Sequence, residues 1–288
     1  MREYLDIVRS VLSNGEQKED RTGVGTLAVA GAMFEYDMAN GFPLLTTKAV
    51  PFRLVASELE FFLRGITSKK WLQTENNHIW DEWCSPDRVE YGHDAETQTK
   101  MAAEIELGPI YGWQWRHFGG RYLGHDRPVH DEGIDQLKQI VKTLKTDPSD
   151  RRMLVSAWNP VDIHRMALPP CHYGFQVTVL NNRLNLLWNQ RSVDVALGLP
   201  FNIASYGLLL HLLAKEGGFA EGKLVGFLAD THIYTNHITG LEAQQNRQPM
   251  PLPTLTTEPF TSIFDWHYRH SIVNDYQHHP RISFEIAV

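Results

Sequence analysis

The chain has 288 residues, 42% of them hydrophobic and 11% aromatic, with a formal net charge of -7. That apolar content is ample for a packed core, and the acidic balance excludes a general nucleic-acid binder, which neutralises phosphates with a basic face. No apolar run approaches the roughly 18 to 20 residues of a membrane span, and Met1-Arg2-Glu3-Tyr4-Leu5-Asp6 does not open like a signal peptide, so the expected location is cytoplasmic.

Residues 4–12 place Leu5, Val8, Val11 and Leu12 at helical spacing, and Asn14-Gly15 closes the helix. A glycine-broken turn, Asp20-Arg21-Thr22-Gly23-Val24-Gly25-Thr26, then leads into a β-like stretch over residues 27–36 and is able to present Arg21 to an anion. Pro51 opens a second helix that turns Leu54, Val55, Leu59, Phe62 and Leu63 inward and stops at Gly65. Glu58 falls beside this apolar stripe, where burial would demand a partner or an elevated pKa, while Glu60 is expected on the solvated side.

From Trp71 to Trp115 the texture changes to tryptophan, histidine and short charged runs, with residues 85–106 polar; this reads as a smaller excursion, about 66–130, from a single domain spanning 1–288. Helical periodicity returns over residues 133–145. Residues 152–158, 173–180 and 183–190 read as strands, the last two joined across Asn181-Asn182 as a hairpin. Residues 202–215 form a helix apolar on most faces, closed by Gly217-Gly218, and further strands are expected at 224–228 and 282–287. The second half is thus mainly strands with one strong helix, and the fold class is expected to be α+β.

Three constellations carry chemistry. Leu168-Pro169-Pro170-Cys171-His172 puts a cysteine at the mouth of a strand, behind two prolines that stiffen its approach. Cysteine is a potent nucleophile near neutral pH, and Arg191, on the neighbouring strand, would favour its thiolate. A lone cysteine is more often buried and inert, but these neighbours raise the functional reading above that one. Cys84 and Cys171 are the only cysteines, fit a reduced pair and lack the spacing of a zinc site, so no metal is expected.

Arg21, Arg151, Arg152 and Arg191 form the second constellation, able to meet a phosphate monoester. The third is Asp194, Asn202, His232 and Tyr234. Asn202 either caps the following helix or reads an imide edge, since an amide donates and accepts at once. Strand alternation aims His232 and Tyr234 to one side, within reach of hydroxyls.

Six motifs, in order and nearly end to end, resemble the thymidylate synthases of the folate-dependent, cysteine-nucleophile type. They are the 20–26 turn, His78-Ile79-Trp80-Asp81-Glu82-Trp83, Leu107-Gly108-Pro109-Ile110-Tyr111-Gly112, the Cys171 segment, Gln190-Arg191-Ser192-Val193-Asp194, and residues 197–206. The resemblance implies a mixed β-sheet core stacked in a homodimer, with dUMP as substrate and 5,10-methylenetetrahydrofolate as co-substrate. It implies that Cys171 adds to C6 of uracil. It gives Arg21, Arg191, Ser192 and, from the other subunit, Arg151 and Arg152 to the 5′-phosphate, with His172, Gln190, Val193 and Asp194 among the nucleotide contacts.

By the same resemblance, Asn202 reads the base, and His232, Ile233 and Tyr234 hold the sugar. An aspartate stands at the Asn202 position in the related deoxycytidylate hydroxymethylases. Glu58 and Tyr111 handle protons, and Asp194 holds the pterin. Lys48, Ile79, Trp80, Trp83, Gly198, Ala287 and Val288 surround the folate, the last two as a lid.

Several positions depart from the family pattern: Ala49-Val50-Pro51 after Lys48, Glu60-Phe61 for the familiar Leu-Trp, Ala196 for a bulkier aromatic, and Leu228-Ala229 where Gly-Gly usually precedes Asp230. The nearest alternative is a dUMP 5-hydroxymethylase, which shares nearly every motif and quenches the methylene intermediate with water instead of hydride. A non-catalytic binding protein with the same fold is a third reading, against which Cys171, Arg191 and Asn202 all speak.

Overall fold

A computed structural model describes residues 1–19, 23–129 and 133–286. In chain order the elements are α1 (Arg2–Asn14), β1 (Glu16–Lys18), β2 (Thr26–Asp37), α2 (Phe52–Leu63), α3 (Lys69–Thr74), α4 (Ala95–Ala103), α5 (Tyr111–His117), α6 (Gln136–Thr146), β3 (Leu154–Ser156) and β4 (His172–Leu180). They continue with β5 (Arg183–Asp194), α7 (Gly198–Gly217), β6 (Ala220–Tyr234), α8 (Ile238–Gln245), β7 (Thr254–Thr257) and β8 (Ser271–Asn274). The fold is α+β: a mixed six-stranded sheet in the order β1-β2-β6-β5-β4-β3, with β7 and β8 paired separately.

Local chemistry explains the main joints. Asn181 and Asn182 both take positive φ, 51° and 59°, the requirement of the tight hairpin that joins β4 to β5. Strands β5 and β6 are parallel, so the chain must cross over between them, and α7 makes the crossing. This helix is apolar around nearly its whole circumference because it lies between the sheet and the helices α2 and α6. Gly218, at φ 76°, ends it in the left-handed conformation that glycine adopts without strain.

One face of the sheet builds the core. Phe34, Phe175, Leu186, Trp188, Leu224 and Leu228 alternate inward and are buried. The opposite face carries the Met33–Phe227 cross-strand pair together with Leu154 and Leu180, all exposed. Inside the core, Trp188 stacks on Tyr206 of α7, with centroids 5.3 Å apart and planes 10° apart.

Two expectations need correction. Glu60 is fully buried, not solvated. Positions 58 and 60 lie about 200° apart around a helix, and the side carrying Glu60 is covered by residues 267–270: Tyr268 N–H donates to Glu60 Oε2 at 2.8 Å, and Arg64 meets Oε1 at 2.6 Å. The covering segment lies over 200 positions away, beyond any local pattern. Residues 282–286 join no strand. The apolar alternation there serves irregular packing: Phe284 lies against His237, with centroids 5.0 Å apart, and His237 Nε2–H donates to the Glu285 carbonyl at 2.7 Å.

Gly226 faces the Trp188 ring closely enough that an added Cβ would stand 2.4 Å from it. The indole is fully buried and has no room to retreat. Gly226→Ala is expected to lower the unfolding free energy by about 1–3 kcal/mol, measured by denaturant melts of the variant beside wild type.

Candidate active site

Cys171 sits one residue before β4, and its placement is controlled from both sides. Its N–H donates to the Tyr111 hydroxyl at 2.7 Å, and its carbonyl accepts from Arg191 N–H at 2.8 Å. The Arg191 side chain folds back on the prolines, Nε–H to the Pro170 carbonyl at 2.9 Å and Nη2–H to the Pro169 carbonyl at 2.8 Å. The two prolines therefore fix the guanidinium as well as the thiol, and the guanidinium also lies 5.5 Å from the Trp158 ring centroid.

Burial pushes the Cys171 thiol above its ordinary pKa, outweighing Arg191 and Tyr111, which pull it down; Asp194 adds to the rise. That direction favours the thiol over the thiolate near neutral pH. His172 does not act as an imidazolium here: burial pushes its pKa down to about 3, and Nδ1 shares a 2.9 Å hydrogen bond with the Tyr206 hydroxyl.

Behind Cys171 the aromatic residues interlock. Tyr111 packs on His172, with centroids 4.5 Å apart, and stacks on Phe62 at 4.9 Å; Trp80 meets Tyr111 edge-on at 6.1 Å and Trp83 at 6.1 Å. Into this apolar setting α2 projects Glu58, whose Oε1 accepts from Trp80 Nε1–H at 2.8 Å. Burial raises Glu58 to a pKa of about 7, against the opposing pull of the Trp80 hydrogen bond. A carboxyl that titrates near neutrality close to Tyr111, which also holds the Cys171 N–H, is suited to passing protons. Burial likewise holds the Tyr111 phenol well above its ordinary pKa, so it serves as a neutral donor and acceptor.

The C-terminal end of β5 and the start of α7 supply the polar residues. Gln190 Nε2–H donates to Asn202 Oδ1 at 2.9 Å and to the Ser192 carbonyl at 3.0 Å, while Trp188 Nε1–H holds Gln190 Oε1 at 3.1 Å. This chain of bonds fixes which way the Asn202 amide points. Asn202 is not the helix cap, because α7 begins four positions earlier, at Gly198. Asp194 Oδ1 instead accepts from Ala196 and Leu197 N–H, at 2.9 and 3.1 Å, and leads the chain into α7.

Lys48 hydrogen-bonds the Ala196 carbonyl, and burial draws its pKa down to about 8 despite the opposing charge of Asp194. His232 pairs in register with Asp194, its Nδ1 lies 3.0 Å from Asp230 Oδ1, and its ring meets Tyr234 edge-on at 5.3 Å. Ile79 and Trp83 are half-buried.

The expected residues thus gather into one neighbourhood, with exceptions. Arg151 and Arg152 point to solvent at the edge of the sheet, Arg152 paired to Asp150 at 2.8 Å. Val193 and Ile233 turn their side chains into the core. Arg21, Ala287 and Val288 lie outside the described residues. Among the described residues no group of His, Cys, Asp or Glu is arranged to hold a metal ion.

The thymidylate synthase family model matches residues 2–288. The chain belongs to the thymidylate synthase family. A bifunctional dihydrofolate reductase-thymidylate synthase from Paramecium tetraurelia is 43% identical over 286 residues, covering 99% of this chain and 61% of that protein. The chain therefore spans about three fifths of the length of that relative. Neither comparison favours the hydroxymethylase alternative.

Within this thymidylate synthase family member, sequence reasoning missed Tyr206, Trp188 and Phe62. They stand respectively behind His172, behind Gln190 and behind Tyr111. Tyr206 lies one helical turn after Asn202, and that i, i+4 spacing was the one available signal that both serve the same face.

Because Glu58 has a folded pKa of about 7 against an ordinary value of 4.5, the folded state binds the extra proton between those values. Its contribution to stability is fully present below about pH 4.5 and lost as pH rises through 7. Glu58→Gln removes that loss, so the variant is expected to gain on wild type by about 1–3 kcal/mol at pH 8 relative to pH 4.5, in denaturant melts at the two pH values.

Proposed function

We propose that this chain catalyses the methylation of dUMP at C5, using 5,10-methylenetetrahydrofolate and releasing dTMP and dihydrofolate. The observation that carries the reading is the joint placement of Cys171, the Arg191 guanidinium and the Trp80–Glu58 pair around Tyr111. A nucleophile, an anion-binding cation and a carboxyl of near-neutral pKa within one aromatic frame suit covalent activation of an anionic heterocycle.

The Cys171 thiol loses its proton, and its sulfur bonds to C6 of the uracil while the C5=C6 electron pair shifts toward the C4 carbonyl. That shift makes C5 the nucleophile. Glu58 supports the developing charge at O4 through proton transfer, and Tyr111 assists removal of the C5 proton. Asn202, held by Gln190, reads the imide edge, and the sulfur leaves C6 as product forms. Arg191 and Ser192, with Arg21, take the phosphate, while His232 and Tyr234 take the sugar hydroxyl.

C5 bonds to the folate's methylene carbon as one of that carbon's two C–N bonds breaks. Loss of the C5 proton then expels the tetrahydrofolate nitrogen, and hydride from that tetrahydrofolate reduces the exocyclic methylene as the Cys171 sulfur leaves C6, giving dTMP and dihydrofolate. The half-buried Trp83 and Ile79, backed by the buried Trp80, offer apolar surface suited to a pterin and its attached ring, and Asp194 and the buried Lys48 supply the polar contacts that orient it. Gly198 leaves room beside them, and Ala287 and Val288 close the site against water.

The functional unit is a homodimer formed through the exposed sheet face. Met33, Phe227, Leu154 and Leu180 form apolar surface of the kind that a second copy buries. Arg151 and Arg152 are exposed near this face, and Arg152 would exchange its Asp150 partner for the other subunit's phosphate. One domain spans the chain, and the reaction is carried out in the cytoplasm; no helix among the described residues is long and apolar enough to cross a membrane.

Incubating the protein with dUMP and 5,10-methylenetetrahydrofolate is expected to generate the dihydrofolate absorbance, and Cys171→Ser to abolish it while dUMP binding stays measurable by calorimetry. Nucleotide consumed with no dihydrofolate formed would overturn the methylation reading. Shared sites predict complementation: mixing inactive Cys171→Ser with inactive Arg151→Ala/Arg152→Ala under exchange conditions restores up to about a quarter of wild-type turnover, as random subunit pairing leaves one intact site in half of the dimers. No recovery in the mixture, with exchange confirmed by mass, would refute the donation.

A further inference from the structure

Lys69 is the first residue of α3 and is fully buried, yet its partners are carbonyls and not a carboxylate. Its ammonium donates to the Asp81 carbonyl at 2.7 Å, the Trp83 carbonyl at 2.9 Å and the Met101 carbonyl at 2.9 Å. An ammonium carries three N–H donors in tetrahedral array, so these contacts saturate it. A buried charge is costly to desolvate, and only well-formed charge-assisted hydrogen bonds offset that cost.

The three acceptors come from two places. Asp81 and Trp83 lie in the turn bearing Ile79, Trp80 and Trp83, and Trp80 O accepts from Trp83 N–H at 3.2 Å within that turn. Met101 belongs to the last turn of α4, whose unpaired carbonyls favour a cation. The backbone N–H of Lys69 adds a bond to the Ile105 carbonyl at 3.0 Å, just beyond α4. The polar segment that sequence reasoning left without a role is thus fastened, through one side chain, to the aromatic turn.

We propose that Lys69 is a positioning residue that clamps α4 to the 78–84 turn and so sets where Trp80 and Trp83 stand for the folate and where the Trp80 indole N–H meets Glu58. The proposal rests on the folate reading of those tryptophans. Without the clamp the carbonyls of Asp81, Trp83 and Met101 lose their common donor, and the turn relaxes around bonds that include Gln73 Nε2–H to Asp81 Oδ1 at 2.9 Å, His78 Nδ1 to Asp81 Oδ2 at 2.8 Å and Trp83 N–H to the Trp80 carbonyl at 3.2 Å. The Trp80–Glu58 bond favours the carboxylate, so weakening it moves the Glu58 titration upward.

The test uses the full chain with Lys69→Met and Lys69→Arg. The readouts are KM for 5,10-methylenetetrahydrofolate, KM for dUMP, the pH profile of turnover, and quenching of tryptophan fluorescence by the folate. Lys69→Met is expected to raise the folate KM about tenfold, as misplacement of a binding wall does, to leave the dUMP KM within about twofold, and to move the pH profile toward higher pH. Lys69→Arg keeps the charge and falls between wild type and Lys69→Met.

A Lys69→Met protein that melts lower but keeps both KM values and its pH profile overturns the proposal. Should Lys69→Met fail to fold, Lys69→Arg decides alone: an unchanged folate KM and pH profile overturn it, and a raised KM with a shifted profile supports it. Wild type that shows neither folate quenching nor dihydrofolate formation sinks the folate reading and this proposal together. Wild type that shows both, with unaltered variants, sinks the Lys69 proposal only.

Discussion

Everything at the site depends on the parallel pairing of β5 with β6 and on the crossover helix that this pairing requires. Parallel neighbours cannot be joined by a hairpin, so the chain must leave the sheet at Asp194, travel the length of α7 and return. That detour places the start of α7 at the C-terminal ends of both strands. Asn202 therefore stands over Gln190, Asp194 lies in register with His232, and Tyr206 reaches back to His172. Ligands of open sheets with parallel strands gather at such strand ends because the loops there are free to diverge.

Burial is the second organising constraint, and it acts differently on each titratable group. It keeps Cys171 a thiol and His172 a neutral ring, lifts Glu58 toward neutrality and draws Lys48 down to about 8. Burial thus separates groups that would all be charged or all be inert in water. Around Cys171, His172 and Glu58 the aromatic stack of Phe62, Tyr111, His172 and Trp80 provides the apolar setting, whereas Lys48 is buried separately beside Ala196 and Phe284. The two arginine contacts to the proline carbonyls hold the approach to Cys171 from the other side.

The family's departures also acquire physical meaning. Glu60, which replaces a familiar leucine, holds Tyr268 N–H and Arg64 and so ties α2 to the C-terminal segment. Ala196 leaves its carbonyl to Lys48. Lys69 gives the polar 85–106 segment a mechanical link to the tryptophans of the site. These contacts join residues far apart in the chain, which is why composition around each position is silent about them.

By itself the sequence determined the local elements and the chemical inventory. Helical and strand periods, the Asn181-Asn182 turn and the order of six motifs are properties of neighbouring residues, and they were legible for that reason, as were the chemical types of Cys171, Arg191, Asn202, Glu58 and Tyr111 that the resemblance marked as candidates. Tertiary structure decided what each group has for company. Glu60 proved buried, residues 282–286 proved irregular, Asn202 proved to lie inside α7, and Arg151 and Arg152 proved to face solvent, because each outcome depends on a partner segment brought in from elsewhere in the chain. Protonation state follows the same rule: a carboxyl or thiol acquires its working pKa from the water excluded around it, and only the assembled core excludes that water.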